Sequence, residues 1–128
     1  MESKHVINKK ADLGERLYDF ALRIIKLVRS LPKEMAALEV GRQLLHSGTS
    51  IAANYEEAAA AFSKEDFTYK LSIAFKESKE ANLWLRLLRD SRLVQSQEVE
   101  HLIQESAEIK NILVPYQQTN YNASPLFC

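Results

Sequence analysis

The sequence predicts an all-α fold: an antiparallel up-down-up-down four-helix bundle in one domain. Apolar residues recur at alternating steps of three and four along four stretches of the chain, which is the spacing of one buried helix face. Only three Gly and three Pro occur among the 128 residues. Few turns are therefore available and the helices are long. Short connections between long helices make successive helices run in opposite directions.

The first predicted helix spans about residues 10–31. Asp12 is placed to cap its start. Pro32 stops it, because the residue before a proline is disfavoured in helical conformation. The apolar face consists of six residues at helical spacing, namely Leu13, Leu17, Phe20, Ile24, Leu27 and Leu31.

The second predicted helix spans about residues 33–61 and has polar and small residues on its apolar face. Gly41 and Gly48 lie seven residues apart on one side, where they favour close packing against a neighbouring helix; the alternative is a kink that opens a site. Asn54 occupies an apolar-face position, and Glu57 follows one turn later. We expect both side chains to be buried and to fix the register between helices. The alternative is a polar pocket.

A very short connection leads to the third predicted helix, about residues 64–91. Ser63 and Asp66 have the spacing of a capping box, and Phe62 and Phe67 have the spacing of a hydrophobic staple. A short link followed by a firm helix start predicts that the second and third helices form an antiparallel hairpin.

The third helix is apolar around more of its circumference than one bundle face needs. Ile73, Trp84 and Leu87 lie on a flank away from its main apolar row. Either the fourth helix or a second subunit must cover this flank, because large exposed apolar patches are unfavourable on a soluble protein. We predict these three residues as an oligomer interface.

The fourth predicted helix spans about residues 96–114 and ends at Pro115. Residues 1–114 therefore constitute the bundle, and residues 115–128 have no periodicity and form an irregular C-terminal tail. The apolar face of the fourth helix is Val99, Leu102, Ser106, Ile109 and Leu113.

Patterns that support catalysis are weak in this sequence. Glu98 and His101 have the Glu-x-x-His spacing of di-iron bundles, but such a site needs a second pair and two further glutamates, and no second pair exists. His46 precedes Ser47, but adjacent residues of a helix point in different directions. No Gly-rich phosphate loop or paired zinc cysteines occur. We predict no catalytic residue, no metal, no cofactor and no enzymatic activity.

The formal charge is balanced, with 17 basic and 17 acidic residues, which argues against a surface built wholly for nucleic acid. A basic stripe nevertheless follows the first helix: Lys9, Arg16 and Arg23 recur every seven residues, and Lys26 lies beside the last. These four residues are candidate contacts to phosphates. The favoured alternatives are a solvated face or pairing with acidic helices of a neighbour, since acidic residues are interleaved with the stripe.

The predicted cellular location rests on the lack of targeting and membrane-spanning patterns in the sequence. The N-terminus has no apolar signal core, and no run approaches the length of a membrane span. A single cysteine, Cys128, allows no intrachain disulfide. We expect a soluble cytoplasmic protein without a membrane partner.

Several segments together resemble a known family: SGTSIAANYEEA at residues 47–58, SKEDF at 63–67, KLSIA at 70–74 and KESKEA at 76–81. They are similar to the bacterial four-helix-bundle family named for open reading frames in intervening sequences of 23S ribosomal RNA. The resemblance covers about residues 10–114. Ala53, Asn54 and Glu57 fit the family pattern, whereas many members have Gly in place of Ala58.

The resemblance implies a four-helix bundle, often assembled as a ring-like homopentamer, with no established enzyme activity. A similar protein, the accessory variability determinant of diversity-generating retroelements, assists a reverse transcriptase by binding RNA and protein; it is strongly basic, whereas this chain is neutral. The favoured hypothesis is therefore a non-enzymatic homo-oligomeric interaction or scaffold module, pentameric by resemblance. The alternative is an RNA- or DNA-binding accessory protein that uses the basic face of the first helix.

Overall fold

The structure, a computed structural model, describes residues 13–117. Within them the chain is all-α, with four helices and no strand, as the sequence predicts. The predicted start of the first helix, Lys9 and most of the predicted tail lie outside the described residues. The elements are α1 (Leu13–Arg29), α2 (Met35–Ala59), α3 (Lys64–Asp90), α4 (Gln97–Leu113) and a single 3₁₀ turn at Val114–Tyr116.

The connection between α1 and α2 is longer than the sequence predicts. The N–H groups of Ser30 and Leu31 donate to carbonyls three residues back, at 3.0 and 3.2 Å, so the chain leaves the α-helical pattern after Arg29. Leu31 is still buried beneath this turn. The second helix then begins at Met35, where the Glu34 carboxylate caps it by accepting a hydrogen bond from the N–H of Ala36 at 3.1 Å.

At the start of α3, the predicted Ser63 cap is confirmed and the predicted hydrophobic staple is not. Ser63 Oγ accepts a hydrogen bond from the N–H of Asp66 at 3.0 Å, as the capping box requires. The predicted staple between Phe62 and Phe67 is wrong, since the Phe62 side chain is fully exposed. Phe67 instead packs edge-on against Tyr116, with 6.0 Å between ring centroids, because the 3₁₀ turn after α4 supplies an aromatic ring at this end of the bundle.

Each helix packs against two others. The first and third helices both contact α2 and α4 but do not contact each other within residues 13–117, so they occupy opposite corners. Between successive helices, residues later in one helix contact residues earlier in the next and the middles contact each other, which is compatible with the up-down-up-down order. The contacts include Leu31 with Gly41, Ile24 with Gly48, Glu57 with Lys70, His46 with Glu77, Asn82 with Ser106, and Arg89 with Glu100.

Small residues let the helices approach closely inside the core. A Cβ atom at Gly48 would lie 2.9 Å from both Cγ atoms of Ile24, which confirms the close-packing interpretation of this glycine. Ser47 and Ser78 are fully buried, and their hydroxyls donate to carbonyls three residues back on the same helix, at 3.3 and 2.6 Å. Neither hydroxyl is left without a partner, so these serines are packing residues rather than reactive groups.

Candidate interaction surfaces

One side of α3 carries all three predicted interface residues. We define the α3 flank as Ile73, Glu77, Glu80, Trp84 and Leu87, which follow one another at steps of four and three along one helix face. Ile73 and Trp84 are half-buried, and Leu87 is 43% exposed. The described bundle therefore covers this flank only in part. That it forms an oligomer interface stays a prediction.

A carboxylate lies in the middle of the α3 flank. The side chain of Glu77 is 18% exposed, and its Oε2 lies 3.9 Å from Nε2 of His46 on α2. Its Oε1 is buried and has no hydrogen-bond partner among the described residues. Burial raises the pKa of the Glu77 carboxyl, and the charge of Glu80 adds to this, while His46, Lys76 and a hydrogen bond from Ser50 act in the opposite direction.

The indole of Trp84 is the second unsatisfied group on this flank. Its Nε1–H is buried without an acceptor in the described part of the chain. A buried polar group without a partner costs about 1–3 kcal/mol. An acceptor and a donor on one side of α3 are thus both buried and unsatisfied within the described residues.

The two residues predicted to set the helix register differ from expectation. Asn54 is half-buried, and its Nδ2 donates to the carbonyl and hydroxyl oxygens of Ser50 on its own helix, at 2.9 and 3.1 Å. Glu57 is not buried as predicted: its side chain is 59% exposed, because it lies at the outer edge of α2, 2.7 Å from Nζ of Lys70 on α3. This ion pair raises the pKa of Lys70. A registry role for Asn54 and Glu57 stays a prediction.

The basic stripe of α1 faces acidic residues of α4. Arg16 contacts Glu105 through Nε at 2.7 Å and Glu108 through Nη2 at 2.7 Å. Arg23 contacts Glu98 through Nε at 2.9 Å. These hydrogen bonds raise the pKa values of both arginines.

The sequence signal for these ion pairs was the equal spacing of the arginines on α1 and the glutamates on α4. Arg16 and Arg23 are seven residues apart, and so are their partners Glu98 and Glu105, so two antiparallel helices bring both pairs together. Lys26 forms no ion pair within residues 13–117. Phosphate contact by these residues stays a prediction, and it requires two guanidinium groups to exchange their carboxylate partners.

The pair between Arg23 and Glu98 predicts a pH-dependent contribution to stability. Its hydrogen bond lowers the pKa of Glu98, so the pair stabilises the fold above the unfolded pKa of a glutamate, about 4.3. The contribution is lost as the pH falls through the lower folded-state pKa. We expect Arg23→Gln to reduce the free energy of unfolding at pH 7 by up to about 1 kcal/mol, since both groups are partly exposed.

Urea unfolding of both proteins across pH 3–7 measures this effect. The difference between wild type and Arg23→Gln is expected to shrink toward the acid end. Arg29→Gln serves as the control, because it removes a cation of the same helix that forms no ion pair in the described region and does not act on the pKa of Glu98. A difference that stays constant with pH would contradict the assignment.

An apolar face of α1 was missed by the sequence reasoning. Tyr18 and Leu22 are 63% and 44% exposed on the side of α1 that no helix covers. Lys26 and Arg29 continue the same side and are exposed. We define these four residues as the α1 outer face. The four-residue step between Tyr18 and Leu22 indicates a second apolar side of α1, outside its main apolar row.

A depression of about 420 Å³ lies beside the end of the α1 outer face. A second depression of about 540 Å³ lies in the polar connection between α3 and α4. The first is lined by apolar residues together with the two cations Arg29 and Lys33; the lining residues are Val28, Arg29, Leu31, Lys33, Ala37, Leu38 and Gly41.

Residues 13–117 contain neither a cluster of metal ligands nor a membrane-spanning helix. No group of three or more His, Cys, Asp or Glu side chains in this region could hold a metal ion. Glu98 is bound by Arg23, and His101 is exposed beside Gln97. None of the described helices is long and apolar enough to cross a membrane.

The comparison with known proteins rests on the same region as the bundle. The profile of the family described as 23S rRNA-intervening sequence protein matches residues 9–115. The chain belongs to this family. The resemblance predicted from the sequence is therefore confirmed.

A solved structure has the same fold. It is a protein with unknown function from the S23 ribosomal protein family of Bacteroides thetaiotaomicron VPI-5482. It is 36% identical to this chain, the alignment covers 80% of this chain and 94% of that one, and the TM-score is 0.72. A search of curated proteins gives no significant match. Membership in the family thus comes with no established activity.

Proposed function

We propose that this up-down-up-down bundle is a non-enzymatic, cytoplasmic interaction module that assembles with copies of itself through the α3 flank. Five copies is the number expected from the family that the sequence resembles. The observation that carries the proposal is the α3 flank itself, where Leu87 is exposed and Ile73 and Trp84 are only half-buried. Interfaces are typically anchored by such aromatic and aliphatic side chains.

We also propose that the protein has no enzymatic activity, because neither its buried hydroxyl groups nor its depression beside α1 supplies catalytic groups. The buried serines donate to their own helix carbonyls, and the only charged groups that line the depression beside α1 are Arg29 and Lys33. Neither arrangement supplies a nucleophile next to a general base.

Mass measurement in solution tests self-association. The wild type is expected to sediment as an oligomer at micromolar concentration, and Leu87→Asp as a monomer, because a carboxylate placed in an apolar contact must be desolvated. The control is Ile112→Asp on α4, a residue with 39% exposure that is not on the α3 flank. A wild type that sediments as a monomer would remove the proposal.

The nucleic-acid hypothesis has less support, because Arg16 and Arg23 are held by glutamates of α4. Fluorescence anisotropy with labelled RNA and DNA at low salt distinguishes the two functions. Binding that weakens steeply with salt and with Lys26→Glu would favour the nucleic-acid role. Absence of binding is the result expected from the interaction module.

A further inference from the structure

The α1 outer face carries apolar side chains followed by unpaired cations. Tyr18 and Leu22 are exposed, and one and two turns further along the helix come Lys26 and Arg29. Neither cation forms an ion pair within residues 13–117, whereas the neighbouring Arg23 is bound by Glu98. This end of α1 therefore presents positive charge that the bundle itself does not compensate.

The α3 flank has the opposite charge at matching positions. Tyr69, which is 48% exposed, precedes Ile73 by four residues, and Glu77 and Glu80 follow. The steps from Tyr69 to Glu80 are four, four and three, as are the steps from Tyr18 to Arg29 on α1. When two parallel helices lie side by side, equal steps bring each residue opposite its counterpart. Tyrosine then meets tyrosine, leucine meets isoleucine, and two cations meet two carboxylates.

We propose that the α3 flank of one copy binds the α1 outer face of the next copy, with the two helices parallel and Lys26 and Arg29 opposite Glu77 and Glu80. This inference rests on the proposed self-association and names the surface that meets the α3 flank. The interface joins two different surfaces, so it is heterologous. Such an interface closes into a ring when the rotation between copies allows it.

The positions of the helices make this pairing available to every copy. The first and third helices lie at opposite corners of the bundle. Each copy therefore presents both surfaces at once, one to each neighbour. In the proposed up-down-up-down order α1 and α3 also point the same way. A rotation about an axis along the bundle preserves that direction, so it brings α3 of one copy parallel to α1 of the next.

The α3 flank extends beyond Glu80, whereas α1 ends at Arg29. In the parallel register Trp84 and Leu87 therefore reach the turn after α1 and the start of α2 of the next copy. Met35 and Leu38 are 85% and 58% exposed there. These exposed apolar side chains are the surface available to the end of the flank that carries Leu87.

Charge complementarity further explains why an acidic group lies in an apolar flank. The Glu77 side chain is 18% exposed, so part of it remains open to a neighbouring copy. A lysine ammonium has three donors and no acceptor, so Lys26 of the next copy can pair with this carboxylate. Charged pairs at interfaces fix register and suppress wrong partners. Here they select the α1 outer face over a second α3 flank, which would bring glutamates together.

A mixing experiment tests which surface meets the α3 flank. Leu22→Asp damages the α1 outer face, and Leu87→Asp damages the α3 flank; both residues are about equally exposed, at 44% and 43%. Each variant alone is expected to be monomeric by analytical ultracentrifugation. An equimolar mixture is expected to give a heterodimer of twice the monomer mass, because one intact pair of surfaces remains and the chain of contacts cannot continue. Circular dichroism checks that both variants are folded.

The other outcomes separate the two proposals. Leu22→Asp that assembles like wild type overturns the pairing with α1 and leaves self-association through α3 standing. Two monomeric variants that stay monomeric on mixing also overturn the pairing. A wild type that is itself monomeric removes both proposals together.

A charge exchange tests the register. Arg29→Glu and Glu80→Lys each place like charges opposite each other, and each is expected to raise the apparent dissociation constant at least about tenfold at low salt. Combining both changes in one chain is expected to restore assembly to within about threefold of wild type, since opposite charges meet again. Residues 29 and 80 belong to helices that do not touch within one described bundle. Rescue therefore arises only between copies, and a double variant as weak as the single ones overturns the register.

Discussion

Gly48→Val is expected to destabilise the bundle by about 3 kcal/mol or more, at the upper end of overpacking effects. An added Cβ would lie 2.9 Å from Cγ1 and Cγ2 and 3.2 Å from Cβ of Ile24. Ile24 is fully buried and branched at Cβ, so its side chain is stiff in a helix and cannot turn away. The two helices must separate instead, which opens the core on both sides of the contact. Urea unfolding followed by circular dichroism measures the loss.

Gly41→Ala is the matched control for this position. Its added Cβ would lie 2.8 Å from Cδ1 of Leu31, the far end of a flexible side chain next to an open depression. A rotation of Leu31 relieves the contact, while alanine gains about 1 kcal/mol of helix propensity over glycine. We expect a stability within about 1 kcal/mol of wild type. Ile24→Ala should partly rescue Gly48→Val, because the two residues share one contact. Equal effects at both glycines would contradict the argument.

Phe20→Ala is expected to cost about 3–5 kcal/mol, the range for removing a buried aromatic side chain. Phe20 is fully buried and is the largest side chain at the centre of the core. The cavity left behind is bounded by other fully buried residues that cannot all collapse into it. Loss of most of the net stability is expected, since small domains are stable by only about 5–15 kcal/mol.

Tyr18→Ala provides the comparison on the same helix. Tyr18 is 63% exposed, so its truncation is expected to change the stability of a single bundle by less than about 1 kcal/mol. Both variants are best measured in a Leu87→Asp background, where assembly does not add to the apparent stability. The midpoint and slope of urea unfolding give the two free energies. A loss for Tyr18→Ala as large as that for Phe20→Ala would contradict the assigned core.

Local sequence features predicted the helices and the hairpin because their causes are local. The Ser63 cap and the periodic apolar rows act within one or two helix turns, and the structure has a capped helix start and buried rows at those positions. The same local argument failed for Phe62. Its expected partner Phe67 packs on Tyr116 instead, a residue far away in sequence whose position depends on the finished bundle.

The surfaces were harder to predict than the core. Glu57 occupies a position whose helix phase lies near the edge of the apolar stripe, and only the placement of α3 decides that it faces solvent and Lys70. The arginines of α1 looked like a free basic stripe until α4 supplied Glu98 and Glu105. Such outcomes depend on which helices are neighbours, and a short stretch of sequence does not determine which helices pack together.

The ion pairs between α1 and α4 also distinguish one edge of the bundle from the other three. Along this edge the two helices are in less extensive contact than any other neighbouring pair, and they are joined at the surface by Arg16 and Arg23. Dissolved ions screen partly exposed charges but leave apolar packing in place. Raising the ionic strength therefore weakens this one longitudinal edge, whereas the three edges with more extensive packing are left in place.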